Sequence, residues 1–260
     1  MIAAIFVAGI FLWQNRRLEA KSQETVARGL NQLESMEKKD YSGVETQIQA
    51  LEDAEKAAEE KAEAIESGKG VEDDLYNTMT VRDTTELQKA FEGSIILGDS
   101  VVEAIDGYGY LPANEVVYKR GVSVHDLDEL IATTIGLNPK CVFFQMGIND
   151  MDTYNSDTAK FVEEYKNQIQ TLKQGLPNVQ VYVNNVNPVQ DFVLESHPGY
   201  RYQADYNVAL KALCEEIGVT FIDNSSLINA HEEFFDDDGI HPLPEYYPYW
   251  LTHMANVAGL

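Results

Sequence analysis

From about residue 80 onward, short apolar runs alternate with longer stretches in which apolar residues recur every three or four positions. The runs are SIIL (94–97), EVVY (115–118), CVFFQ (141–145), VQVYV (179–183) and VTFI (219–222). They are largely unbroken by polar residues, the pattern of strands buried on both faces. The stretches between them, near 100–106, 125–135, 157–174 and 202–217, carry helical spacing. A last helix is expected over about 244–258, its start blurred by Pro248 and bulky aromatic residues. Asp83 and Glu86 suit the cap of a short helix ending near Phe91. Strands alternating with helices predict an α/β domain: a five-stranded parallel sheet in a three-layer α/β/α sandwich.

The first third of the chain has a different texture. Residues 14–67 are rich in Ala, Glu, Lys and Gln and contain no proline, which favours helix. Val44, Ile48, Leu51, Ala58, Ala62 and Ile65 follow a 4-3 spacing with Glu55 as the one polar breach, and Val26, Leu30 and Leu33 repeat it earlier. A break at KKDYSG separates two expected helices, 14–39 and 43–67. They form a hairpin, a self-associating stalk, or solvated helices without a specific role. SGKG (67–70) opens a linker, so the expected domains are an anchor segment (1–13), a helical stalk or hairpin (14–67), a linker with a short helix (68–92) and the α/β domain (93–260).

Residues 1–13, MIAAIFVAGIFLW, are apolar throughout but shorter than the ~20 residues a full span needs. They lack a basic start and an evident cleavage site. The alternatives are an ordinary core helix and a membrane anchor, and the polar stalk that follows favours the anchor. Arg16 and Arg17, taken alone, would keep the following chain inside, whereas basic residues ahead of the apolar run would reverse this. The expectation is a membrane-anchored protein with its folded domain outside.

Charge and cysteine content narrow the partners. The 260-residue chain carries a net charge of −24. Residues 1–75 hold 9 Lys+Arg and 16 Asp+Glu, and the remainder hold 10 and 27. A chain this acidic repels phosphate backbones, so no nucleic-acid partner is expected. Cys141 and Cys214 read as small core residues, with no metal-ligand spacing and no redox pair. No metal or organic cofactor is expected.

In a parallel α/β sheet, ligands bind beyond the carboxyl ends of the strands. That rule selects Gly98–Ser100, Arg120–Ser123, Gly147–Asp150 and Asn184–Pro188. Gly-Asp-Ser at 98–100 is either a plain strand-to-helix junction, the helix capped by Asp99 or Ser100, or a nucleophile held at a turn. A serine hydroxyl needs a base in reach and a group to orient that base. Among the five histidines, His125, His197, His231 and His253 sit in surface or structural contexts. His241 lies in DDDGIHP, with Asp238 three residues before it and Gly239 between. That spacing can bring a carboxylate to Nδ1; the alternative is an acidic surface turn. Three donors could meet an oxyanion: the Ser100 N–H, the Gly121 N–H and the Asn149 side-chain amide. Gly121 could equally be a turn residue, and Asn149 a helix cap.

Four pieces together resemble the SGNH (GDSL-type) hydrolases: GDS at 98–100, the glycine of RGVSV at 121, GIND at 147–150 and DGIHP at 238–242. The resemblance covers about residues 93–258. It implies a flavodoxin-like fold and a serine esterase in which Ser100 is the nucleophile, His241 the base and Asp238 the third triad member. Ser100, Gly121 and Asn149 would form the oxyanion hole. Many members carry leucine after the serine and a glycine soon after; this chain has Val101 and Ala104, which bears on the subfamily. The expected substrate is a small acyl ester or an acetylated glycan; aromatic rings in GYGYLP (107–112) and EYYPYW (245–250) near the site can stack on sugars, though such rings more often serve packing. An O-acyltransferase using the same residues, and a non-catalytic helical scaffold or binding protein, are the alternatives.

Overall fold

The structure, a computed structural model, describes residues 75–229 and 231–260. The anchor expected at 1–13 and the helices expected at 14–39 and 43–67 lie outside the described residues. Among the described residues no helix is long and apolar enough to cross a membrane.

Five strands form one parallel sheet: β1 (Ser94–Gly98), β2 (Val116–Tyr118), β3 (Cys141–Gln145), β4 (Gln180–Asn184) and β5 (Thr220–Ile222), in the order β2-β1-β3-β4-β5. The helices are α1 (Leu75–Thr78), α2 (Thr84–Phe91), α3 (Ser100–Gly107), α4 (Asp128–Leu137), α5 (Ile148–Tyr154), α6 (Thr158–Gly175), α7 (Gln203–Ile217), α8 (Ser225–Ile228) and α9 (Tyr247–Ala258). The expected α/β/α sandwich is therefore the observed fold, in the flavodoxin-like strand order. The five strand runs fall within one residue of their expected positions.

Strand alternation explains the layers. Ile95, Leu97, Val142 and Phe144 face one core with Ile131 of α4, Tyr165 and Ile169 of α6, and Leu210 of α7. Ile96, Cys141 and Phe143 face the other with Leu87 and Phe91 of α2, Val102 of α3, and Trp250 and Met254 of α9. Both cysteines are buried and free, as expected for small core residues. Helix starts follow side-chain capping. Asp83 accepts the Glu86 N–H at 2.9 Å while Glu86 accepts the Asp83 N–H at 3.0 Å, a reciprocal box at the start of α2.

The strand order reverses beside β1, so the carboxyl ends of β1, β2 and β3 open onto one crevice. Gly98 ends β1 there. A Cβ on it would lie 2.4 Å from the Gln145 carbonyl oxygen and 2.5 Å from a Val102 methyl group. Only glycine lets the strand end and the following helix pack this closely, and that closeness sets where Ser100 begins α3.

Candidate active site

Ser100 is the first residue of α3, so its N–H is one of the donors a helix start leaves without an internal partner. Its Oγ lies 2.8 Å from His241 Nε2. His241 arrives from a loop 141 residues further along the chain, and that loop is self-braced. The Asp236 N–H donates to the His241 carbonyl at 2.8 Å, and Phe235 and Pro242 form an antiparallel bridge beyond it.

Inside this loop Asp238 collects three donors. Its Oδ1 accepts the N–H groups of Ile240 at 2.8 Å and His241 at 2.9 Å, and its Oδ2 lies 2.6 Å from His241 Nδ1. Partial burial pushes the Asp238 carboxyl up. The backbone N–H and imidazole of His241, with the Ile240 N–H, outweigh it and hold the carboxyl below the usual range. A carboxylate there selects the tautomer with hydrogen on Nδ1, leaving Nε2 to accept the Ser100 hydroxyl. A serine hydroxyl so bonded, with the base oriented by a carboxylate, has the geometry of an activated nucleophile.

The opposite wall comes from two other strand ends. Gly121 follows β2 with φ +67°, a left-handed turn conformation that glycine adopts without strain. Asn149 lies in the first turn of α5, after β3, rather than capping that helix; Gly147 holds the cap position. Its Nδ2 donates to Asp99 Oδ2 at 2.9 Å and faces the Val122 carbonyl oxygen at 3.3 Å.

Two acids lie behind this wall, both buried: Asp99, 1% exposed, and Asp150, fully covered. Asp99 Oδ1 accepts the Val101 N–H at 3.0 Å and so caps α3, and Asp150 Oδ1 accepts the Val124 N–H at 2.9 Å. Burial raises Asp99 to about 6, against the Val101 N–H and the charge of His241, which lower it. Burial raises Asp150 to about 7, against the Val124 N–H and with the help of Asp99. The Asp99 cap is local and readable in the sequence, but the spacing of the motifs contains no signal for the Asp99–Asn149 and Asp150–Val124 contacts, because they cross from one strand end to another.

Ser100, Gly121, Asn149 and His241 line one cleft of about 560 Å³. Ala104 and Gly107 of α3, Tyr108, and an ion pair between Arg120 and Glu103 complete it. A larger cleft, about 710 Å³, lies near Lys140, Pro177 and Leu260 and carries no hydrogen-bonded serine–histidine pair.

Some expected site positions lie elsewhere. Asn184 and Asn185 form a buried amide network with Asn224 away from the cleft lining. Of the rings in the two aromatic motifs, only Tyr108 lines the cleft. Tyr247 and Trp250 of α9, and Tyr246 in the turn just before it, are core residues packed into the apolar layer beside β1 and β3. The four other histidines do not line the cleft: His125 is near Asp126, His197 near Asp152, His231 near Glu233 and His253 near Asn224.

The chain matches the GDSL-like Lipase/Acylhydrolase family over residues 96–247, more than half its length. Solved structures share the fold. A provisionally named acylhydrolase from Bacteroides fragilis aligns at 15% identity with a TM-score of 0.52, covering 64% of this chain and 86% of that one. A GDSL-like lipase from Bacteroides thetaiotaomicron aligns at 12% identity and TM-score 0.50, covering 70% and 93%. A lipase/acylhydrolase from Enterococcus faecalis aligns at 17% identity and TM-score 0.50, covering 63% and 94%. No curated protein matches the sequence closely enough to count as a relative.

Proposed function

The chain belongs to the GDSL-like lipase/acylhydrolase family and is an ester-hydrolysing enzyme, and from that premise we propose that it works through a Ser100–His241–Asp238 triad. His241 Nε2 takes the proton of the Ser100 hydroxyl as Oγ attacks the ester carbonyl. The carbonyl π pair moves onto oxygen, and the oxyanion is met by the N–H groups of Ser100 and Gly121 and the Asn149 amide. The imidazolium, steadied by Asp238, returns the proton to the departing alcohol. Water, deprotonated by His241, then releases the acid from Ser100.

The observation that carries this reading is the continuous chain from Ser100 Oγ through the imidazole to Asp238, with links of 2.8 and 2.6 Å. Hydrolysis rather than acyl transfer is the reading the lipase/acylhydrolase family match favours, and the His241 side chain, 41% exposed, is open to the water this needs. An acetyl or other short acyl ester suits a wall built from Ala104 and Gly107, and the exposed ring of Tyr108 offers a face to a sugar. The proposed substrate class is therefore an acylated, chiefly acetylated, glycan. Ser100→Ala is expected to abolish hydrolysis of a short-chain aryl ester while leaving the circular dichroism spectrum unchanged. Retained hydrolysis would remove the mechanism.

From the sequence alone we also propose that residues 1–13 hold the enzyme at a membrane with its catalytic domain outside. Deleting them should move the protein from the membrane fraction to the supernatant; an unchanged partition argues against the anchor.

A further inference from the structure

The amide of Asn149 can serve an oxyanion only if its NH2 end faces the cleft side of the wall. Nothing in the residue itself dictates this, because an asparagine amide turned by 180° fills the same space with its oxygen where the nitrogen was. The contacts around it do dictate it. The two groups within reach of Nδ2 are both acceptors: Asp99 Oδ2 at 2.9 Å and the Val122 carbonyl at 3.3 Å. A turned amide would set its own oxygen against both, with no donor between them.

The two acceptors are unequal. Asp99 is 1% exposed, and its other oxygen is fixed by the Val101 N–H at 3.0 Å. Its carboxyl can neither swing away nor exchange Asn149 for water. The Val122 contact is longer, and its carbonyl directly follows Gly121, the other proposed donor. The N–H facing Val122 is thus the one an incoming oxyanion can compete for, while the N–H on Asp99 stays bound.

We propose that Asp99 is a positioning residue for the reaction, holding the Asn149 amide by a buried hydrogen bond so that its second N–H meets the developing oxyanion. Asp99 does not touch substrate. The proposal rests on the ester-hydrolase reading and adds a residue to it. It also gives the middle residue of Gly-Asp-Ser a part in the chemistry besides capping α3.

The test is a double-mutant cycle on Asp99 and Asn149, read by kcat and KM for a short-chain aryl ester. Asn149→Ala should lower kcat ~10²-fold, the usual loss on removing one oxyanion donor. Asp99→Asn keeps an oxygen to cap α3 but not both acceptors. It should lower kcat at least ~10-fold, with KM held within about threefold. In the Asn149→Ala background Asp99→Asn should cost nothing more. Losses that multiply, or a change confined to KM, overturn the proposal. Asp99→Ser retains a cap oxygen too short to reach Asn149 and is the second variant. If neither variant melts cooperatively, the role of Asp99 is structural and the proposal fails. The rate at which a fluorophosphonate labels Ser100 reads the same cycle without needing turnover. A wild-type protein that is labelled but hydrolyses no ester would sink the hydrolase reading and leave this inference testable.

Discussion

Three aspartates serve this one edge of the sheet, and they fall into two environments. Asp238 is 45% exposed in its side chain and lies in a short loop that supplies all three of its donors from residues 240 and 241. Asp99 and Asp150 lie under the wall, and each has a donor from across the fold, Asn149 for Asp99 and Val124 for Asp150, beside the local Val101 N–H on Asp99. The first carboxyl is held below its usual range and the other two are raised to about 6 and about 7. The same functional group is kept charged where it contacts the His241 imidazole, as the proposed triad requires, and brought to the edge of neutrality where burial outweighs its hydrogen bonds. Local hydrogen bonds decide the first case and burial decides the second.

The comparison can be broken most severely at the exposed acid and its partners. His241→Ala should lower kcat/KM by ~10³-fold or more, because among the described residues no other base reaches Ser100, and Asp238→Asn should follow within one or two orders of magnitude. Stopped assays with an aryl ester check both. Asp238→Asn should leave the melting temperature nearly unchanged at neutral pH. The group is half-exposed, and solvent screening leaves such a pair worth a fraction of a kcal/mol. Its depressed carboxyl contributes stability above the unfolded pKa that is lost as pH falls through the folded one, so any difference from wild type should shrink in acid.

The buried pair predicts the opposite pattern of a moderate stability change with a set direction. The carboxyl of Asp150 has a folded pKa of about 7, above its ordinary value of 3.8. Its contribution to stability is therefore fully present below pH ~4 and lost as pH rises through ~7. Asp150→Asn keeps an acceptor for the Val124 N–H and removes the charge. It should melt higher than wild type at pH 8, by an amount on the order of 2–4 kcal/mol, and similarly to wild type at pH 4. Thermal melts across that range decide it; a variant less stable at pH 8 than at pH 4 relative to wild type would reverse the sign.

The smallest effects belong to the rim. Tyr108→Ala should raise KM severalfold for an acetylated oligosaccharide and barely change it for an aryl acetate. Equal effects on both would assign the ring to packing. Product analysis with an added sugar acceptor separates release of acid from acyl transfer, and acid is the expected product.

Much of this was legible in the chain. Continuous apolar runs mark the five strands because a sheet covered on both faces needs no polar alternation, and the rule about strand ends pointed to Ser100, Gly121 and Asn149. His241 and Asp238 were readable because their contact is local, three residues apart. Helix α5 was not separated from its loop, since GIND carries no apolar period before Met151. The Asp99–Asn149 contact was invisible because it joins residues 50 apart whose meeting depends on strand register. The aromatic motif at 245–250 left both readings open for a related reason: bulky rings read alike whether they face a cleft or, as Trp250 does, the core. The Asn184–Pro188 stretch shares the strand-end position but faces β5 and its neighbours, where amides pair with each other.

The most direct measurement is intact and peptide-level mass spectrometry after brief exposure to a fluorophosphonate. The account predicts a single adduct on Ser100 in the wild-type protein, strongly slowed in His241→Ala and absent in Ser100→Ala. An adduct on another residue, or undiminished labelling of Ser100 without the imidazole, would contradict it.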